Sequence, residues 1–253
     1  MVKKRGDELE KYRAPALEKG LDILETLAGA DGGMTTSQIA ASLGRTPNEL
    51  FRMIQVLERK GYIGPGESGE GFELTNRLFA LGMARAQMRD LTEAALPVMR
   101  RLAREIRQSC HVAVPSGAQI VVVARVEDPG YFGYSVRAGH RRQILESTSG
   151  AVLFAFQPAE VQAEWGERIF RDMSDEVRQA FVTNAQRIRE RGLGMRNSDL
   201  IPTVIDLSAP VLANDTAVAA LTVPYIPKAN ALSIDDTAER VVGAAREISD
   251  ALH

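Results

Sequence analysis

A helix that is apolar along one side and carries amides and guanidinium groups along the other limits a chain's options sharply, and residues 44–61 encode one. Thr46-Pro47 is a helix start, because a Thr hydroxyl can cap an orphan backbone N–H and proline's fixed φ suits the first helical position. Gly61 supplies the stop. Between them Leu50, Met53, Ile54 and Leu57 share one side, while Asn48, Arg52, Gln55 and Arg59 follow the spacing i, i+4, i+7, i+11 on the other. Arg pairs with guanine, Asn and Gln with adenine, and a Glu such as Glu49 accepts from cytosine N4. The spacing therefore predicts a DNA recognition helix, with an ordinary amphipathic surface helix as its rival.

The neighbours favour the first reading. Leu17, Leu21, Leu24, Leu27 and Ala28 repeat at helical spacing over about 16–29, and Asp31-Gly32-Gly33 breaks the run. Thr35-Thr36-Ser37-Gln38 reads as a capping box opening a short helix through Leu43, so that this helix and the next form a helix-turn-helix. Tyr62-Ile63 and Phe72-Glu73-Leu74 are strand-like runs around the glycine-rich segment 64–71, predicting a hairpin wing whose tip carries Glu67 and Glu70. Such a wing can lie against the DNA backbone, though acidic residues add little there. Thr36, Ser37, Arg45, Thr46, Asn48, Glu49, Arg52, Gln55 and Arg59 are the candidate DNA contacts.

Charge gives this half little help. The 253-residue chain has a formal net charge of −2, and residues 1–89 hold 13 basic against 12 acidic residues. Local clustering of Arg45, Arg52, Arg59 and Lys60, with Lys3, Lys4 and Arg5 in an arm, is the compensation, and dimerisation would double the phosphate contacts. The length fits two unequal domains. A single cysteine, Cys110, excludes an internal disulfide framework and fits a reducing compartment. No run of about 18 apolar residues is present to span a bilayer, and residues 1–13 lack a signal peptide's apolar core, so a cytoplasmic protein without a membrane partner is expected.

A helical stretch opening at Thr75, with Leu78, Leu81 and Met88 on its apolar side, reads as a linker helix, and 91–107 as an amphipathic helix with Leu91, Ala95, Val98, Leu102 and Ile106 on one stripe. The period then changes to two: 110–114, 119–126 and 131–136 read as strands with short connections, hence antiparallel. Helices follow over 151–156, from Pro158 through Phe170, and from the Ser174 cap to Gly192. Strands return at 200–207, 209–213 and 218–223 around an Asn214-Asp215 turn, before a last helix capped by Ser233. Strand blocks separated by helices make this an α+β chain.

In this order the chain resembles the IclR family of bacterial transcriptional regulators. The carrying segments are Ala16–Leu24, Leu57–Ile63, Phe72–Gly82, Leu96–Ala103, Ser147–Ala155 and Ser208–Val211. No single segment is specific, but six in order are. The resemblance implies two domains: a winged helix-turn-helix over 1–75, a dimerising linker helix over 76–90, and over 91–253 a GAF-like α/β effector-binding domain with a mostly antiparallel sheet. It also implies a homodimer or homotetramer, a double-stranded DNA operator and a small organic effector. The chain departs from the family pattern at Glu49, at 195–199, at Thr222 and Pro224, where serines commonly line the pocket, and at Asp206, where a small apolar or thiol residue is common. These differences point away from the small keto acid that some relatives bind.

The candidate effector residues are His111, Arg125, Tyr134, Arg142, Ser149, Gly150, Ala151, Asp206 and Thr222. Residues 147–151 would set backbone N–H groups at a helix N-terminus, where partial positive charge can hold a carboxylate; the rival reading is a plain helix cap. Arg137, His140, Arg141 and Arg142 form a basic run, which favours an anionic or aromatic acid over the rival of a solvated loop. Catalysis finds no foothold. Cys110 and His111 are strand neighbours facing opposite ways, Ser149-Gly150 lacks a nucleophile elbow, and His111, His140 and His253 offer no metal spacing. No cofactor is expected. An enzyme or a pure dimerisation module remain alternatives for the second domain.

Overall fold

The structure, a computed structural model, describes residues 14–66, 70–83, 86–130, 133–199, 201–228 and 232–252. It divides into two compact units, Met1–Ala86 and Gln87–His253.

In the first unit α1 (Pro15–Ala28), α2 (Thr36–Ser42) and α3 (Pro47–Arg59) enclose a small core of Ile23, Leu27, Ile39, Ala40, Leu50, Ile54 and Ile63. The Thr35 capping box is present: Gln38 donates its N–H to Thr35 Oγ1 at 3.3 Å and returns its side-chain oxygen to the Thr35 N–H at 2.8 Å. Gly44, between α2 and α3, has φ +63°, a conformation that glycine adopts at little cost. Strands β1 (Ile63–Pro65) and β2 (Phe72–Leu74) form the antiparallel wing, extended by a Met34–Phe72 bridge. Of the predicted wing tip, Glu67 lies outside the described residues, while Glu70 is exposed. The linker helix expected over 76–90 falls instead on two helices, α4 (Arg77–Met83) and α5 (Ala86–Ile106), with 84–85 outside the described residues.

The second unit is a six-stranded antiparallel sheet in the order β5-β4-β3-β8-β7-β6. Its strands are β3 (Cys110–Ser116), β4 (Gln119–Val126), β5 (Arg141–Gln143), β6 (Gly194–Asn197), β7 (Ile205–Ala213) and β8 (Thr216–Tyr225). Strand alternation sends Cys110, Val112, Leu207, Ala209, Leu221 and Val223 to one face, packed under α5 and α9 (Ile234–Asp250). Ala113, Ile120, Val122, Ala217 and Ala220 take the other face, with α6 (Thr148–Ala155), α7 (Ala159–Ile169) and α8 (Asp175–Arg191). Phe154, Phe170 and Phe181 meet edge to face there, with ring centroids 5.2 to 6.1 Å apart.

Several sequence expectations need correction. The strand expected at 131–136 is absent over 133–136; Tyr131 and Phe132 lie outside the described residues, and the edge strand is β5, three residues long. Local side-chain bonding explains the diversion, since Asp128 accepts the Gly130 N–H at 2.8 Å and closes a turn that the apolar spacing of 131–136 does not reveal. Strand β7 runs unbroken through Ser208 and Pro210, where two strands were expected. Pro210 is tolerated because β6 ends opposite Ser208, leaving β7 with an open edge beyond it. Strand β6 itself was not anticipated. Helix α6 starts at Thr148 rather than Ala151, capped by Ser147. The Asn214-Asp215 turn is as expected, with φ of +50° and +60° matching a two-residue hairpin.

Candidate nucleic-acid interface and ligand cavity

Helix α3 buries Leu50 and Ile54 and leaves Asn48, Arg52, Gln55 and Arg59 exposed along a single stripe, as its period requires. Arg45, Thr46 and Ser37 are exposed too, and Thr36 is half-buried. Glu49 is engaged within the unit. Its Oε2 accepts both the backbone N–H and the hydroxyl of Thr46, each at 2.9 Å, and its carboxylate lies 3.6 Å from Lys19 and 3.8 Å from Arg45. Those contacts, the Thr46 N–H foremost, hold its carboxyl below the usual carboxylate range. Glu49 thus fixes the start of α3, as a Glu three residues after a Thr cap can, and was expected from the sequence only as a base contact.

The second unit holds a cavity of about 230 Å³ between the sheet and the N-terminus of α6. His111, Thr222 and Asp206 rise from β3, β8 and β7, while Ile120 and Val122 give an apolar floor. Tyr134, Val136, Arg137 and His140 close one side, and Ser147, Thr148 and Ser149 close another. Register places His111 opposite Thr222 and Thr222 opposite Ser208, whose hydroxyls are bonded at 2.8 Å. The turn carrying Arg137 and His140 is tied to β4 by backbone bonds: Gly139 donates to Val122 O at 2.7 Å, and Val122 donates to His140 O at 3.0 Å.

Two buried side-chain polar atoms among the described residues make no hydrogen bond of normal geometry, His111 Nδ1 and Thr148 Oγ1, and both residues line this cavity. Burial, reinforced by nearby His140, depresses the His111 imidazole to about 4, so it is neutral at physiological pH. Asp206 is pushed above the usual carboxylate range by burial. Arg142, Arg196 and the nearby Thr148 hydroxyl oppose that shift, while Asp199 adds to it. Arg142 and Arg196 both bond Asp199, the first at 2.9 Å. Arg137 has no ion pair among the described residues. At α6, Ser147 Oγ accepts the Gly150 N–H at 3.0 Å. A side chain at Gly150 would meet Ile144 O at 2.4 Å, so glycine is required there, and the Thr148 and Ser149 N–H groups lie in the first turn of α6, where the helix itself offers them no acceptor.

Of the predicted effector residues, His111, Tyr134, Arg142, Ser149, Asp206 and Thr222 line the cavity together. Gly150 and Ala151 lie behind its wall, the Ala151 N–H donating to Ser147 O at 3.0 Å. Arg125 pairs with His111 across the strands but spends its guanidinium on Glu127 at 3.0 Å and Ser135 at 3.3 Å. Sequence reasoning missed Ile120, Val122, Val136 and Ser198 in the wall. The alternation of β4 marked the two apolar residues as facing one side; Ser198 was marked only as part of the 195–199 departure from the family pattern, not as a wall residue.

A three-helix unit with a wing and an outward amide and guanidinium stripe, joined in one chain to a sheet domain enclosing a small polar cavity, defines a helix-turn-helix DNA-binding protein with a ligand-binding type of second domain. Two family models match it: the IclR helix-turn-helix domain over residues 16–65, and the bacterial transcriptional regulator IclR C-terminal domain over 83–250. The chain belongs to the IclR family of bacterial transcriptional regulators. It is 25% identical over 241 residues to the HTH-type transcriptional regulator BhcR of Paracoccus denitrificans, covering 92% of this chain and 86% of the relative. It is 24% identical over 246 residues to the HTH-type transcriptional repressor AllR of Salmonella typhi, covering 94% and 90%. In fold it is similar to an IclR homolog from Microbacterium hydrocarbonoxydans complexed with 4-hydroxybenzoate, with TM-score 0.76, 21% identity and coverage of 94% and 98%. HmgR of Pseudomonas aeruginosa aligns with TM-score 0.70, 26% identity and coverage of 93% and 98%. BhcR and AllR are named as transcriptional regulators, not as enzymes. Among the described residues no helix is long and apolar enough to cross a membrane, and no cluster of three or more His, Cys, Asp or Glu could hold a metal.

Proposed function

We propose that this regulator binds an inverted-repeat operator through α3 and that a small organic acid in the cavity of the second unit alters that binding. In this reading residues 1–75 engage DNA, 76–90 link and pair two copies, and 91–253 hold the effector, in a homodimer or homotetramer acting in the cytoplasm. The observation that carries the ligand is the buried His111 Nδ1, which makes no hydrogen bond, in the wall of one cavity together with the Thr148 hydroxyl and the Asp206 carboxyl near it. Buried polar groups are otherwise almost always bonded, so a site that leaves this nitrogen unmet is built for an incoming group. Arg137 and the first-turn N–H groups of α6 favour a carboxylate. Ile120, Val122 and Tyr134 suit a flat apolar body, and the 4-hydroxybenzoate of the Microbacterium relative is an aromatic acid of that kind.

Two measurements test the reading. Melting the protein with a panel of small aromatic and aliphatic acids, 4-hydroxybenzoate included, should single out one that raises the melting temperature; at a hundred times its Kd the gain is about 2.7 kcal/mol. Selection of bound duplexes from a random pool should yield an operator for which Arg52→Ala loses about 1 to 3 kcal/mol, the value of a base contact. No enriched duplex and no stabilising acid would overturn the proposal.

A further inference from the structure

Phe51 is 57% exposed in the middle of an otherwise polar face of α3. It stands beside Arg52, three residues after Asn48 and four before Gln55, so these side chains share one side of the helix. The unit's own core is completed by Leu50 and Ile54 and makes no use of Phe51. A large aromatic group more than half exposed among amides and guanidinium groups faces water in the free protein, and burying it further is favourable. The major groove offers an apolar partner in one form, the C5 methyl of thymine, and Phe is among the side chains that contact it. Recognition helices present their N-terminal residues to the base edges, and Phe51 is the fifth residue of α3. Val56, the other exposed apolar residue of the helix at 39%, lies in its C-terminal half, further from that end.

We infer that Phe51 is a base-reading residue that seats against a thymine methyl in each half-site. The inference rests on the DNA-binding reading above and adds a sequence preference to it: each half-site carries a thymine that is recognised by its methyl group rather than by hydrogen bonds.

The test starts from duplexes enriched by the full chain from a random pool. Each thymine of one half-site is replaced in turn by deoxyuridine, which lacks only the methyl and keeps every hydrogen-bonding group, and Kd is measured by fluorescence anisotropy for the wild type and for Phe51→Ala. One position should weaken wild-type binding about fourfold, the factor that corresponds to about 0.8 kcal/mol for one buried methyl-sized group, and should leave Phe51→Ala indifferent. Phe51→Leu, which keeps apolar surface, should retain part of the effect. Because Phe51 is exposed, both variants should melt like the wild type. Uracil effects that are absent, or identical in the wild type and Phe51→Ala, overturn the inference while the DNA-binding reading stands. A change in sedimentation of Phe51→Ala assigns the side chain to a contact between copies and overturns it too. A pool that enriches no duplex overturns the DNA-binding reading and this inference with it.

Discussion

The two faces of the second unit's sheet are built from the same strands, and neighbouring residues show how differently they end up. Cys110 points into the layer under α5 and α9, where burial pushes its thiol up to about 12 and its Sγ lies 3.6 Å from Met99 O. His111, next in sequence, points into the layer under α6, where the sheet carries Thr222, Ser208 and Asp206 and a cavity opens. The first face is apolar and closed, so its contribution is stability. The second gives up packing to hold polar groups short of partners, so its contribution is recognition. One strand serves both because its side chains alternate.

Substitutions on the two faces should therefore separate stability from binding. The largest effect is expected on the closed face: Leu102→Ala removes a side chain 3% exposed and should cost about 2 to 5 kcal/mol in chemical denaturation, through lost burial and the cavity left behind. An effect confined to ligand response, without loss of stability, would erase the distinction.

Next comes the pH dependence of the open face. His111 is lowered in the folded state to about 4 against an ordinary 6.5, so between these values the unfolded chain binds the extra proton. Its contribution is fully present above about pH 6.5 and is lost as the pH falls toward 4. With about 1.4 kcal/mol per pKa unit, the wild type should lose up to about 3 kcal/mol more across that window than His111→Leu. At neutral pH this variant should be nearly as stable as the wild type, since it removes an unmet nitrogen, yet it should no longer be stabilised by the effector. Parallel pH profiles for the two proteins would refute the burial of a neutral imidazole.

A smaller gain is expected from Asp206→Asn. A carboxyl raised above its unfolded value stabilises most when protonated and loses that contribution as the pH climbs through the folded value, so at neutral pH the buried charge is a burden. Removing it should raise stability at pH 7 by less than the His111 effect, with the gain shrinking toward pH 4. Thermal melts at both pH values decide the sign. A loss at pH 7 would mean that Arg142 and Arg196 outweigh burial.

The first unit was legible almost residue by residue, because its information is local. The Thr35 and Thr46 caps, the glycines at 44 and 61 and the apolar period of α3 each act within a few positions, and the exposed stripe follows from them. The cavity was legible only in part. Residues 147–149 announced a helix N-terminus from their own composition, whereas Ser198 and Val136 joined the wall through sheet order and a loop path that no local pattern encodes. The strand missing over 133–136 has a second reason beside the Asp128 turn: β propensity was present, but pairing is also decided by partners far along the chain. Glu49 shows the reverse case, a residue weighed for its reach outward that the fold spends on its own helix start.

The burial of Cys110 also has a practical side. It is the single cysteine of the chain, and a thiol that stays protonated at neutral pH and is shut off from solvent reacts slowly with maleimides or iodoacetamide. A reporter dye can therefore be attached through a cysteine introduced at an outward position such as Arg59, with the native sulfur left in place and contributing no background signal until the domain itself comes apart.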